Sequence, residues 1–199
     1  MNIILNLLPS FVFLVLSVLP TSADELATRT EIDARARSFL IAGEFAALEQ
    51  MASEFRDEKA RTSSGLHKLD LFYFGVFDAA DFAISRYFDD EQDLLDLADG
   101  WVEAYPDSVT AVISRAIILR SLGWHYRGGG AISSVSRNDL QEFRRYIELA
   151  NQGLLAVEDF ASSDSYWYYL RARFMMETNV VHQDFLALLL DGLSRHPEA

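Results

Sequence analysis

Between Val109 and Trp124 the chain reads VTAVISRAIILRSLGW, and apolar residues fall on nearly every side of the helix this segment would form. An amphipathic helix can lie on a surface, whereas one that is apolar all round has to be enclosed. The segment therefore predicts a central helix, and the rest of the chain must supply the shell around it. Pro106, Asp107 and Ser108 stop the preceding element and cap this one.

The shell reads as further helices. Residues 31–42 and 44–60, split by Gly43, carry Ala36, Phe39 and Leu40, then Phe45, Leu48, Met51, Ala52 and Phe55, at three- and four-residue spacing, which predicts a helical hairpin. Residues 61–65, RTSSG, break it. The aromatic stretch that follows would pass for a strand, but Leu69, Phe72, Tyr73, Val76, Ala80, Ile84 and Tyr87 repeat with helical period over a length strands rarely reach. Residues 89–105 begin with acids suited to a helix N-terminus and present Leu94, Leu95, Ala98, Trp101, Val102 and Tyr105 as an apolar face. After a loop over residues 128–137, Asn138 with Gln141 three residues on predicts a capping box for a helix with Leu140, Phe143, Ile147, Ala150 and Leu154 on one face. Residues 163–179 and 181–195 form a last pair, stopped by Pro197. No strand alternation or hairpin signal is present. The expected class is all-α: helical hairpins stacked as a degenerate tetratricopeptide-like repeat or a bundle, with Pro106 and Pro197 as hand-over points of an irregular period.

The 199 residues suffice for one domain with a core. The chain has no cysteine, which removes disulfides, thiolate metal sites and cysteine nucleophiles and leaves stability to packing. Thirty acidic residues against 17 basic ones give a net charge of -13, so nucleic acid and anionic membrane surfaces are poor partners. Residues 3–19 are apolar apart from Asn6, Ser10 and Ser17, and Thr21 and Ala23 suit a signal peptidase that would cut before Asp24. The expectation is a signal peptide over residues 1–23, a single helical domain over 24–199 and a periplasmic or secreted location. Membrane attachment follows only if the segment stays uncleaved; Pro9 and its shortness argue against a span.

Five blocks, GEFAALEQMASEFR, TSSGLHKLDLFYFG, WVEAYPDSVTAVISRA, GWHYRGGGAISSVSRNDLQEFRRYIELANQGL and SDSYWYYLRARFMME, resemble those of the domain of unknown function 4034 family, bacterial proteins of helical, tetratricopeptide-like character. The resemblance runs from about Ala34 to the C-terminus, and its most specific element is Trp124, Arg127, Gly128, Gly130 and Phe143. It implies a fold and a compartment; the family has no established activity.

Chemistry centres on GWHYRGGG, residues 123–130. It is no P-loop, since Ala131 and Ile132 stand where Lys and Ser or Thr would reach phosphates and metal, and no dinucleotide loop, since a helix precedes it and Ser133 takes the third glycine's place. One reading makes Gly128 a helix stop with Arg127 on the exposed carbonyls. The other makes Arg120, Trp124 and Arg127, which share a helix face beside Gly128 and Gly130, a ligand corner for a carboxylate, a peptide end or a sugar.

The remaining motifs carry less. The acids at 89–93 begin like an EF-hand, but Leu94 replaces the turn glycine. The four histidines lack zinc-protease spacing, no serine-nucleophile motif occurs, and Tyr166 to Tyr169 read as core. No catalytic residue, metal site or cofactor is assigned. The expected function is a binding or scaffolding module that engages a protein or peptide through an aromatic and arginine-lined groove. The alternatives are a hydrolase of an envelope polymer using paired carboxylates, and self-assembly.

Overall fold

The computed structural model describes residues 22–86, 91–178 and 182–197. Of these, 82% are helical and none lies in a strand, so the class is all-α. The helices are α1 (Ser22–Ala42), α2 (Phe45–Asp57), α3 (Lys68–Arg86), α4 (Glu91–Ala104), α5 (Val109–Arg127), α6 (Arg137–Leu155), α7 (Glu158–Ala161), α8 (Ser165–Glu177) and α9 (His182–Arg195), with one 3-10 turn at Ile132–Ser134. The apolar N-terminal segment, Tyr87 and the EF-hand-like Asp89 and Asp90 lie outside the described residues. The expected cleavage point, Ala23 to Asp24, falls in the first turn of α1. Among the described residues no helix is long and apolar enough to cross a membrane.

The central helix is α5. Twelve of its residues are buried, including Ile113, Ile117, Ile118, Leu119 and Leu122, and each such aliphatic side chain contributes about 2 kcal/mol by leaving water. Ser108 caps it, its hydroxyl accepting the Ala111 amide at 3.0 Å, and α5 packs against α2, α3, α4, α6, α7 and α8. The most extensive contact is with α6, at Gly123, where a Cβ would stand 3.3 Å from the Phe143 carbonyl oxygen and from the Tyr146 Cβ.

Three local expectations change. The hairpin of α1 with α2 is a minor contact, because α1 lies chiefly along α3. Gly75 makes that approach possible: a Cβ there would meet the Ala36 Cβ at 3.0 Å and the Asp33 Cα at 3.2 Å. The N-cap of α6 is Ser136, not Asn138. The Ser136 hydroxyl oxygen accepts the Asp139 amide at 3.0 Å and donates to the Asp139 carboxylate at 2.7 Å, so a serine with an acid three residues on wins the capping position. The aromatic run at the start of α8 divides: Tyr166, Trp167 and Tyr168 are buried and Tyr169 is exposed.

Candidate functional site

At the GWHYRGGG corner the donors turn inward. Arg120 donates from Nε at 3.0 Å and from Nη2 at 2.7 Å to Oε1 of Glu177, the last residue of α8, and the Trp124 indole N–H donates to the same oxygen at 3.1 Å. Arg120 and Glu177 side chains are 11% and 8% exposed, so this is an internal ion pair. The Trp124 ring is also packed edge-on against Phe143 and flanked by both guanidinium groups. Arg127 folds over the loop, its Nη1 donating to the carbonyls of Gly128 at 3.0 Å and Gly130 at 2.6 Å. Gly128 ends α5 with φ +60° and ψ 177°, a conformation open essentially to glycine. The corner thus joins α5 to α8, and Arg120, Trp124, Arg127, Gly128 and Gly130 are all engaged within it.

A cleft of about 300 Å³ opens elsewhere, where the ends of four helices meet. Phe55, Arg56 and Lys59 come from the end of α2; His67, Leu69 and Asp70 from the start of α3; Ser163, Asp164 and Ser165 from the start of α8; Arg195, His196 and Pro197 from the end of α9. Arg56, Lys59 and Arg195 outnumber Asp70 and Asp164 here, and two imidazoles join them. Arg56 is paired with Asp164 at 2.9 Å, and Arg195 with Asp191 at 3.1 Å and Ser162 Oγ at 3.4 Å, so these charges are balanced within the fold.

Its floor is a buried polar knot. Asp164 Oδ2 accepts Arg56 Nη2 at 2.9 Å and the Tyr73 hydroxyl at 2.8 Å, while Oδ1 accepts the Tyr166 amide at 2.9 Å and so caps α8. Arg56 Nη2 also reaches the Tyr73 hydroxyl oxygen and, at 3.1 Å, Thr110 Oγ1 on α5. Burial, then the Asp164 charge, pushes the Tyr73 phenol far above its ordinary range, so it stays a neutral donor. All three Arg56 bonds leave from one nitrogen, and its side chain is 35% exposed.

Lys59 is held at φ +45°, the left-handed region that side chains avoid. The end of α2 explains the position: Ala60 N–H returns to the Phe55 carbonyl and Lys59 N–H to the Arg56 carbonyl, the pattern that commonly puts glycine where Lys59 stands. The same pattern ends α1, with Gly43 at φ +67° in that place. Burial raises the Asp70 carboxyl above the ordinary range, against the pull of His67 and Arg61. On the far side of Asp70 and Ser165 lies a second hollow of about 230 Å³, walled by Phe74, Tyr166 and Tyr169. Their rings touch edge-on or tilted, with centroids 5.0 to 6.5 Å apart, and Phe74 and Tyr169 are 46% and 43% exposed.

None of the cleft residues was singled out from the sequence as a ligand group. They are 142 positions apart at the extremes, Phe55 to Pro197, and only their fold neighbours bring them together. Lys59 gave no local signal, since the expected helix ran on to residue 60, whereas α2 ends at Asp57 and Lys59 takes φ +45°. Among the described residues no cluster of histidines and acids could hold a metal ion. The chain matches no protein-family model, no curated protein and no solved structure.

Proposed function

We propose that the protein is an exported helical binding module whose protein or peptide partner docks in the cleft between the ends of α2, α3, α8 and α9. The observation that carries this reading is an open recess of about 300 Å³ built on the fixed Arg56–Asp164 pair, beside an exposed aromatic ledge of Phe74 and Tyr169. Arginine and aromatic side chains in a recess are the usual anchors of such contacts. The groove expected near Arg127 is relocated, since that corner is closed by its own ion pair. The proposal includes the signal-peptide reading of residues 1–23 and kinship with the domain of unknown function 4034 family, on the blocks quoted above, as a degenerate stack of repeats.

The test is selection of a displayed random peptide library on the full-length chain, followed by counter-selection on the Arg195→Gln variant. Enrichment of a motif by the first and its loss on the second supports the reading; no enrichment at all refutes it. The hydrolase reading draws on Asp70, a half-buried carboxyl with a raised pKa. Asp164, in the same wall, has its oxygens taken by Arg56, Tyr73 and the Tyr166 amide, which leaves no second free carboxylate there. Release of soluble fragments from an envelope polymer, abolished by Asp70→Asn, would favour catalysis.

A further inference from the structure

We infer that two copies of this chain associate through the outward face of α9, with the two helices antiparallel about a two-fold axis at Leu190. The inference goes beyond the binding reading and does not depend on what occupies the cleft.

Five of the 14 residues of α9 are leucine, yet none of its residues is buried. Leu188 packs against the core, while Leu186, Leu189, Leu190 and Leu193 are exposed, Leu190 and Leu193 by 68% and 64%. At 3.6 residues per turn, Gln183, Leu186, Ala187, Leu193 and Ser194 lie within about 60° of Leu190. All of them are exposed and none is charged, in a chain whose residues are 24% charged. The charged residues of α9, Asp184, Asp191 and Arg195, lie about 100° to 140° round the helix, on the flank where Asp191 meets Tyr168 and Arg195. A solvated helix face carries charge, so a charge-free, leucine-rich one belongs against another apolar face.

The pattern of side-chain sizes names the occupant. Leucine stands four residues before Leu190 and three after it, at Leu186 and Leu193; a small residue stands three before and four after, at Ala187 and Ser194. A two-fold axis at Leu190 sets the position four before in one copy opposite the position four after in the other, and likewise for three. Leu186 of each copy then faces Ser194 of the other, and Leu193 faces Ala187. Every leucine enters the gap that a small side chain leaves, as knobs enter holes. A parallel pairing would set leucine on leucine and small on small. The contact brings no charge onto charge, so the net charge of -13 on each chain stays outside it.

The area is of the right order. Leu189 and Leu193 share a hollow of about 210 Å³ with Tyr169 and Ala172, so the apolar edge of α8 continues the stripe, and Met176, two turns on from Tyr169, is 54% exposed. The four exposed leucines, Tyr169 and Met176 are about half exposed on average and, at about 150 Å² per side chain, leave roughly 450 Å² in water. Each partner in a stable interface gives up about 800 Å². The stripe with its neutral rim supplies most of that, which corresponds to association in the micromolar range. Arg195 and His196, which line the cleft, stand about 140° and 120° round α9 from Leu190. The dimer therefore leaves both clefts open, and a partner carrying two docking segments would gain avidity.

The experiment is analytical ultracentrifugation of the full-length chain from about 1 to 200 µM, a range that brackets a micromolar Kd, with circular dichroism of every variant to establish that it folds. The native chain should pass from monomer to dimer and no further. Leu190→Asp changes a residue that is exposed in the single chain, so the fold should persist, while two carboxylates at the axis weaken association about a hundredfold or more. Ala187→Leu should weaken the dimer about tenfold by crowding Leu193 of the other copy. Adding Leu193→Ala to that variant should restore most of the loss, because large again faces small.

A monomer at every concentration overturns the inference and leaves the face to a partner of another kind. So does association that Leu190→Asp leaves intact, since the contact then lies elsewhere, or a double variant that dimerises no more tightly than Ala187→Leu alone. None of these results bears on peptide enrichment at the cleft, so the two readings fail separately.

Discussion

Asp164 is the residue whose replacement most directly tests the account of the fold. Its side chain is 1% exposed and joins three elements that lie far apart in sequence: Arg56 of α2, Tyr73 of α3 and the first turn of α8. Asp164→Ala removes an N-cap, about 1 kcal/mol. It also strands the Arg56 guanidinium and the Tyr73 hydroxyl, and breaking a buried pair in this way costs about 3 kcal/mol at the low end of the range, which the partial exposure of Arg56 makes appropriate. The sum is about 4 kcal/mol, or a fall of roughly 12 °C in Tm for a chain of this size. Asp164→Asn keeps a carbonyl for the cap and should cost about 2 kcal/mol. Urea unfolding followed by circular dichroism reads both, with the slope unchanged if only stability moves. Tyr73→Phe should then cost about 1 kcal/mol less in the Asp164→Ala background than alone, since the bond it removes is already gone. An Asp164→Ala protein within about 0.5 kcal/mol of the parent would refute the claim that this knot holds the helix ends together.

Four further outcomes are expected. Lys59→Gly should stabilise the chain by roughly 1 kcal/mol in denaturant titration by relieving φ +45°. Gly128→Ala should cost about 2 kcal/mol from backbone conformation alone, because no atom lies within 4 Å of the added Cβ, whereas Gly129→Ala should stay within about 0.5 kcal/mol. Glu177→Ala should cost about 3 kcal/mol by orphaning Arg120, and should shift Trp124 emission, since the indole N–H loses its acceptor. Asp70 has a folded pKa above its unfolded one, so the native state holds the proton more tightly: its charge is a penalty that grows as pH rises from the ordinary carboxylate range through the raised value. Asp70→Asn should therefore be the more stable protein at neutral pH, and the gap should close on acidification; a gap that widens would contradict the assignment.

Periodicity made the helices readable because burial imposes it: the stripe of Phe72, Tyr73 and Val76 and the enclosed α5 both follow from side chains leaving water. Partners were less readable. Nothing local in α1 says that it lies on α3 instead of α2, since that choice depends on how close Gly75 lets Ala36 come. The cap of α6 moved two residues because Ser136 and Asp139 compete with Asn138 and Gln141 for one role, and both pairs fit the pattern. At GWHYRGGG the sequence placed Arg120, Trp124 and Arg127 together on α5 but could not show that Glu177, more than fifty residues on, meets two of them. The cleft was the least readable feature. It is made by turns and helix ends, where no period operates, and its cations are scattered among ordinary surface charges.

The way α9 is attached gives the cleft a character of its own. This helix has no buried residue, packs chiefly on α8, and is pinned by Tyr168 to Asp191, by the close fit of Gly192 over the Tyr168 ring and by His196 against the Ser162 carbonyl. It is therefore the unit with the smallest cooperative reach, and its amides should exchange hydrogen at far lower free energy than those of α5. Arg195 and His196 ride on its end, so one wall of the recess belongs to the least anchored helix. On warming, the recess should come apart well before the body of the protein melts, and an occupant that bridges α2 and α9 would act as a rivet, slowing exchange in α9 while leaving α5 untouched.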